Sequence, residues 1–390
     1  MIAGLEGPLR TLFEDDHEAF RDSVQGFLQR HAVPNLERWE SDRIIDRGFW
    51  KQAGEAGFLG LGVPAEYGGG GTDDYRFRCV IIEELARINS GSLQSSLSLQ
   101  DDVFIPYVLH LASEEQKQRW LPGACSGELI GGIAMTEPGT GSDLQGIQTT
   151  AVRDGDEWVI DGAKTFITSG INADVILVVA RTDAGAGSRG FSLIAVERDT
   201  PGFTRGKQLR KIGLHAQDTA ELFFDGCRVP LTNLIGEEGS GFQHLMGELP
   251  LERLSLGVSS IAHARAALRW TQEYVGQRQA FGAPLAKLQT VQFTLAEMIT
   301  EIDVSQAFVD QAVLAFNAGK LDAVEAAKTK WWGTELQKRV VDRCVQLHGG
   351  YGYMEEYPIA RSYLDTRVQT IYGGTTEIMK LIIGRQAAGV

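Results

Sequence analysis

The segment Ala134-Met135-Thr136-Glu137-Pro138-Gly139-Thr140-Gly141-Ser142-Asp143 packs two glycines, two threonines and a serine into one short stretch. Backbone N–H groups and hydroxyls concentrated in this way can hold an anion or the polar edge of a ring. Taken alone, the stretch is equally a plain β-turn. No G-x-G-x-x-G or G-x-x-x-x-G-K-[ST] is present, so Rossmann and P-loop nucleotide sites are unsupported. GTGSD carries its serine one place off the G-x-S-x-G nucleophile elbow. The seven histidines are scattered without H-x-x-x-H or H-E-x-x-H, and Cys79, Cys125, Cys227 and Cys344 form no C-x-x-C pair. Neither a metal site nor a disulfide framework is expected, and a reducing compartment fits.

The elements that must carry this loop change character along the chain. From Glu14 to about Ala124 apolar residues recur at three and four, as in Phe20, Val24, Phe27 and Leu28, then Ile81, Ile82, Leu85 and Ile88. That spacing predicts helices, broken at Pro34, at Gly68-Gly69-Gly70-Gly71 and at Pro122-Gly123. Between Gly131 and about Gly236 come short β-rich runs, EWVIDG, FITSG, DVILVVA, FSLIAVE and ELFFDGCRV, separated by turn residues. The helical period then returns over 241–276, 286–317 and 322–347, with a last helix near 376–388. The fold class expected is a multidomain α+β chain, because its helical and strand segments are segregated rather than alternating. Residues 1–128 form a helical domain, 129–238 a central antiparallel β-barrel or sandwich, and 239–390 a helical bundle.

The chain has 390 residues, 43% hydrophobic and 23% charged, which is a globular composition. Its formal charge of −14 removes the positive footprint that nucleic acid or an anionic membrane surface requires. The longest strongly apolar run, Val175–Ala180, is far short of the roughly 20 residues that span a bilayer. The first residues lack a basic region followed by an apolar core, so a cytoplasmic location is expected.

Three further stretches change the reading when set beside the first loop: Lys164-Thr165-Phe166-Ile167-Thr168-Ser169-Gly170, Gln277-Arg278-Gln279-Ala280-Phe281-Gly282 and Gln346-Leu347-His348-Gly349-Gly350-Tyr351-Gly352. Together they resemble the acyl-CoA dehydrogenase family of flavoenzymes, from about Asp15 to Gln386. The likeness is greatest to the long-chain members, through AQDTAELFF, ELPLERL and IYGGTTEIMK. The resemblance implies FAD, with Met135 and Thr136 against its ring, Phe166 and Thr168 covering it, and Ser142 by the phosphates or the CoA. It also implies that Arg278, Phe281 and Gln289 reach the FAD of a neighbouring subunit in a homotetramer, and that Gln346, Gly349, Gly350, Thr375 and Glu377 contact cofactor. Phe242, Arg253, Gly373 and Gly374 would contact substrate, with Arg253 holding the Gly373 loop and the Gly373 N–H polarising the thioester carbonyl. Electron transfer flavoprotein is the implied electron acceptor.

Many members carry the catalytic base as Glu in a Y-E-G-T segment, whereas here Tyr372 is followed by Gly373, Gly374 and Thr375. A second group places the Glu in an L-x-x-E-R context, which here makes Glu252 the base, with Glu248 one turn earlier as its rival. A carboxylate buried against an apolar chain suits removal of the proton next to the thioester carbonyl. The reaction implied is oxidation of a medium- or long-chain fatty acyl-CoA to the trans-2-enoyl-CoA in β-oxidation. The alternatives are a short branched-chain enzyme of isovaleryl type, a catalytically silent flavin-binding relative, and an acyl-CoA oxidase, whose chains are usually longer. Acyl length depends on how 93–108 packs on 242–256. Gln243 departs from the long-chain pattern, which tends to have an aromatic there.

Overall fold

A computed structural model describes residues 10–389; the first nine residues and Val390, including most of the stretch read for a leader, lie outside it. Among the described residues seven helices come first: α1 (Asp15–His31), α2 (Leu36–Asp42), α3 (Arg47–Glu55), α4 (Tyr75–Arg87), α5 (Gly91–Ser98), α6 (Ile105–Leu111) and α7 (Glu114–Ser126). Local chemistry sets their starts. The Asp74 carboxylate accepts the Arg76 N–H at 3.0 Å to open α4, and Ser113 and Gln116 form a reciprocal capping box at α7. Between α5 and α6 the backbone passes through a π-helical turn, Leu99–Phe104, which carries Asp101 and Asp102 into the interior.

The break expected at Pro122-Gly123 does not occur: α7 runs through both residues and stops at Gly127, whose φ of 72° is left-handed. Pro122 lies on the exposed side of the helix, where the backbone group it leaves unpaired can meet solvent.

The middle of the chain is one sheet of eight strands: β1 (Gly131–Ala134), β2 (Thr150–Asp154), β3 (Glu157–Thr168), β4 (Val175–Arg181), β5 (Phe191–Glu197), β6 (Phe203–Gln208), β7 (Thr219–Pro230) and β8 (Leu234–Ile235). Their order is β6-β7-β3-β2-β4-β5-β8, with β1 beside β4. Most pairs are antiparallel as expected, but β1 and β2 each pair with β4 in parallel. Parallel pairing arises at β1 because it arrives from α7 rather than from a hairpin. The unbroken apolar runs of β4 and β5 are buried on both faces, between the sheet's own core and helices α6 and α7.

Five helices complete the described residues: α8 (Gly241–Gln277), α9 (Gln289–Asn317), α10 (Ala323–His348), α11 (Pro358–Thr366) and α12 (Thr376–Ala388). α8 to α10 share one core with α4, built on Tyr75, Cys79, Ile82, Leu254, Ile261, Met298 and Leu336. α8 and α10 cross closely, since a Cβ placed on Gly257 would lie 2.3 Å from Thr329 Cγ2. That crossing brings residues near 330 beside residues near 252.

Candidate active site

The first glycine-rich loop is tied down at its base. Glu137, buried, accepts the N–H groups of Gln148 (2.7 Å) and Thr149 (2.9 Å) and the ammonium of Lys164 (2.9 Å). The same ammonium donates to Met135 O at 3.0 Å, and Thr165 N–H donates to Thr136 O at 2.9 Å. The Met135–Thr136 and Lys164–Thr168 segments are therefore side by side. Burial lowers the Lys164 pKa to about 8 against the pull of Glu137, so this pair is a buried latch under the loop. Its role had no place in the sequence reading, although Lys164 and Glu137 both stand in the quoted stretches.

On the outer side of that latch β3 bulges. Its register against β7 shifts between Lys164 and Ile167, and Phe166 adopts a φ of 59° with 69% of its surface exposed. A bulky residue at positive φ is strained, and strain of this kind gathers where a ligand is clamped. Thr168 is half-buried beyond it and Ser142 is exposed at the far end of the loop.

A second group of expected residues collects at the far end of α8. Arg278 lies with its guanidinium 5.6 Å from the centre of the Tyr351 ring, and Tyr274 stacks on His348 at 4.3 Å. This joins the Arg278 segment to the Gln346–Gly350 turn. Phe281 is 93% exposed at a φ of 52°, and Gln289, Gln346, Gly349 and Gly350 are exposed as well. Among the described residues, no hydrogen bond, ion pair or ring contact links this group to the Met135–Thr168 loops.

Glu252 lies on α8, half-buried, and among the described residues its carboxylate accepts no hydrogen bond. Loss of water by burial raises its pKa; Arg253 and Lys330 oppose the rise and Asp102 adds to it. Glu248, one turn earlier, is engaged elsewhere: both its oxygens lie 3.1 Å from His110 Nδ1. That hydrogen bond raises the His110 pKa. Gly373 and Gly374 have φ values of 62° and 93°, and a Cβ built on Gly373 would lie 3.1 Å from Glu252 Oε1. A carboxylate on α8 thus arrives beside the position where a side chain at residue 373 would begin.

The loop is held differently from expectation. Arg253 is buried with its Nε unpartnered, and its Nη2 lies 3.8 Å from where a Gly374 Cβ would be, but it makes no hydrogen bond to the loop among the described residues. Lys330 on α10 instead donates to Gly374 O at 2.5 Å. The signal that could have found it is its spacing: Ala326, Ala327, Lys330, Gly333 and Thr334 share one small-residue face of α10, where a lysine is out of character.

Thr375 caps α12 by accepting the Ile378 N–H at 3.3 Å. Glu377 is exposed, and hydrogen bonds from its own N–H and from Thr375 lower its pKa, which unfits it for proton abstraction. Phe242 packs, half-buried, on the core that also receives Met135 and Leu99. The segments 93–108 and 242–256 meet through polar contacts, Ser98 Oγ with Ser255 Oγ at 3.1 Å and Ser255 Oγ to Asp102 Oδ2 at 2.6 Å. Tyr107, fully buried with its hydroxyl unpartnered, also faces Glu252.

The family is shown by three models along the chain: the acyl-CoA dehydrogenase N-terminal domain matches residues 14–128, the middle domain 132–227 and the C-terminal domain 239–388. The chain belongs to the acyl-CoA dehydrogenase family, flavoprotein oxidoreductases, and is an enzyme of that class. Among individual proteins it is 46% identical to the long-chain specific acyl-CoA dehydrogenase of Sus scrofa mitochondria, over 97% of this chain and 88% of the relative. An acyl-CoA dehydrogenase structure from Geobacillus kaustophilus superposes with a TM-score of 0.94 at 50% identity, covering 96% and 98% of the two chains. A glutaryl-CoA dehydrogenase from Mycobacterium smegmatis in complex with FADH2 superposes with a TM-score of 0.90 at 30% identity, covering 97% and 96%.

Proposed function

We propose that this chain is an FAD-dependent dehydrogenase of medium- or long-chain fatty acyl-CoA, forming the trans-2-enoyl-CoA in β-oxidation with Glu252 as the base. The observation that carries the reading is the approach of Glu252 Oε1 to within 3.1 Å of the vacant Cβ position at Gly373. An unpaired carboxylate with a raised pKa, beside a glycine turn with no competing side chain, is suited to take a proton next to a thioester carbonyl. The Gly373 N–H serves as the donor to that carbonyl, and the absence of a side chain leaves room for the acyl group.

The residues present fit FAD. Phe166, strained and exposed over the bulge, is a platform for a flat ring, with Met135, Thr136 and Thr168 around it and Ser142 toward the phosphates. Cβ atoms on Gly349 and Gly350 would meet nothing within 4 Å, so that backbone is open to a ligand, and Arg278 beside it suits a pyrophosphate. Because this second group stands apart from the first within one chain, Arg278, Phe281, Gln289, Gln346, Gly349 and Gly350 serve a neighbour's cofactor in a homotetramer, with Thr375 and Glu377 completing it. When bound, FAD supplies the two-electron acceptor for the hydrogen leaving the β-carbon; electron transfer flavoprotein is the proposed oxidant. No helix among the described residues is long and apolar enough to cross a membrane.

Purified protein is expected to carry about one FAD per chain and to bleach anaerobically on adding a long-chain acyl-CoA. Protein that stays colourless after reconstitution with FAD overturns the cofactor reading, and bleaching confined to isovaleryl-CoA moves the substrate to the branched short-chain class. Moving the base is a sharper test of convergence. In Glu252→Gly with Gly373→Glu, the new Cβ sits at positive φ and 2.5 Å from Leu256 Cδ1, a side-chain end that can swing away. Turnover should recover by at least about 10-fold over Glu252→Gly alone, short of wild type. No recovery in single-turnover kinetics would separate the two positions.

A further inference from the structure

Lys330 is buried without any exposed surface, on the α10 face that packs closest to α8. An ammonium in such a place needs a reason, because burying a charge is unfavourable unless it is paired or hydrogen-bonded. Its hydrogen bond goes to Gly374 O, the carbonyl that follows the glycine whose Cβ position faces Glu252. No carboxylate lies within salt-bridge distance of its Nζ among the described residues, so its charge is not neutralised locally and acts over a longer range.

We propose that Lys330 is a positioning residue of the active site: its ammonium pins the Gly373–Gly374 turn through the Gly374 carbonyl, next to the glycine that faces Glu252, and from there its positive charge favours the anionic form of that carboxylate, the form that can accept a proton. This rests on Glu252 being the base. The charges around the pair come from every packed element. On α8 Arg253 also favours the anion, while Asp102 from the π-helical turn opposes it. Tyr107 on α6 and Tyr372 in the loop face Glu252 with raised pKa values and stay neutral. Glu335 on α10 and Glu377 on α12 favour the charged form of Lys330 itself. Arg253 has its guanidinium alongside the turn without bonding it, so of the two cations only Lys330 couples the turn to the base.

The two functions separate by substitution. Lys330→Gln keeps a donor for Gly374 O without the charge, Lys330→Met removes both, and Lys330→Arg keeps the charge. The holoenzymes are compared, with Glu252→Gln alongside, by the rate of anaerobic flavin bleaching from about pH 5 to about pH 9. Removing a cation raises the pKa of a nearby carboxyl, so the acid limb should move up by about one unit in the Met and Gln forms and return in the Arg form. A prop with no electrostatic role would change stability and KM and leave that limb in place. Without substrate, the thermal midpoint of wild type relative to Lys330→Met should rise between about pH 7 and about pH 10: folded Lys330 loses its proton near about 8, below the unfolded value, so the folded form gains stability as pH rises through that window. Acid limbs in both Met and Gln forms that coincide with wild type overturn the proposal while Glu252→Gln remains slow. If Glu252→Gln itself bleaches at the wild-type rate, the base assignment falls and takes this inference with it. Should the Met form fail to accumulate folded, the polar Gln form decides by the same limb.

Discussion

Glu252→Gln is expected to lower turnover by about 10²–10⁴-fold while FAD stays bound, because general-base catalysis contributes on that scale. The amide is nearly isosteric with the carboxylate it replaces, and the segments proposed to hold FAD are carried by β3, its preceding loop and the far end of α8. The loss should appear as slow bleaching in single turnover, with little change in substrate affinity. In the wild type the rate should climb with pH through a value above the ordinary glutamate range, since burial disfavours the charged form of Glu252 and a carboxyl proposed as base acts only when deprotonated. Glu248→Gln is the control. Its carboxylate is held by His110, so its substitution should leave bleaching within a few-fold of wild type. Wild-type bleaching in Glu252→Gln together with loss in Glu248→Gln would move the base one turn along α8.

The extent to which this site was legible follows from the range over which each signal acts. Helices announce themselves through period and caps, and α8 and α10 end within a residue of expectation at 241–276 and 322–347. α9 begins at Gln289 rather than 286 because Leu285–Lys287 tightens into a 3₁₀ turn. α11 was not read because its buried face, Ile359, Ser362, Asp365 and Thr366, is mostly polar, so an apolar period does not mark it. The site loops were readable as motifs, but a motif carries no partner: nothing local to Lys330 says that its ammonium meets Gly374, 44 positions away. The same holds for the Lys164–Glu137 latch and for His110 with Glu248, where each pair is brought together by the sheet or by helix packing. Arg253 shows the converse error. Its guanidinium does lie alongside the Gly373 loop, yet among the described residues it makes no hydrogen bond there, while Lys330 reaches the Gly374 carbonyl from the facing helix.

Arg78→Met is expected to destabilise the fold by about 3–5 kcal/mol, the scale for removing one partner of a buried ion cluster. Arg78, 4% exposed, donates from Nε to Asp102 at 3.1 Å and from Nη2 to Ser98 Oγ at 3.1 Å, with Asp101 3.6 Å from its Nη1. Without it two adjacent buried carboxyl groups face each other with no cation between them. Asp101 is already raised to about 6 by burial, against the pull of Arg78 and of the Gly60 N–H. Removing the arginine raises it further, so the folded form of the variant binds a proton more readily than the unfolded chain does. A carboxyl group whose folded pKa is raised contributes stability at low pH and loses it as pH climbs through that value. The deficit against wild type should therefore be larger near about pH 8 than near about pH 5 in denaturant titrations. Adding Asp101→Asn to Arg78→Met should recover part of it and flatten the pH dependence. The effect reaches the active site because Asp102 accepts the Ser255 hydroxyl at 2.6 Å, fixing α8 against the π-helical turn one residue-turn from Glu252. Folded Arg78→Met enzyme should accordingly bleach more slowly than wild type even where its stability is sufficient. A variant as stable as wild type at both pH values would show that this cluster is solvated rather than buried.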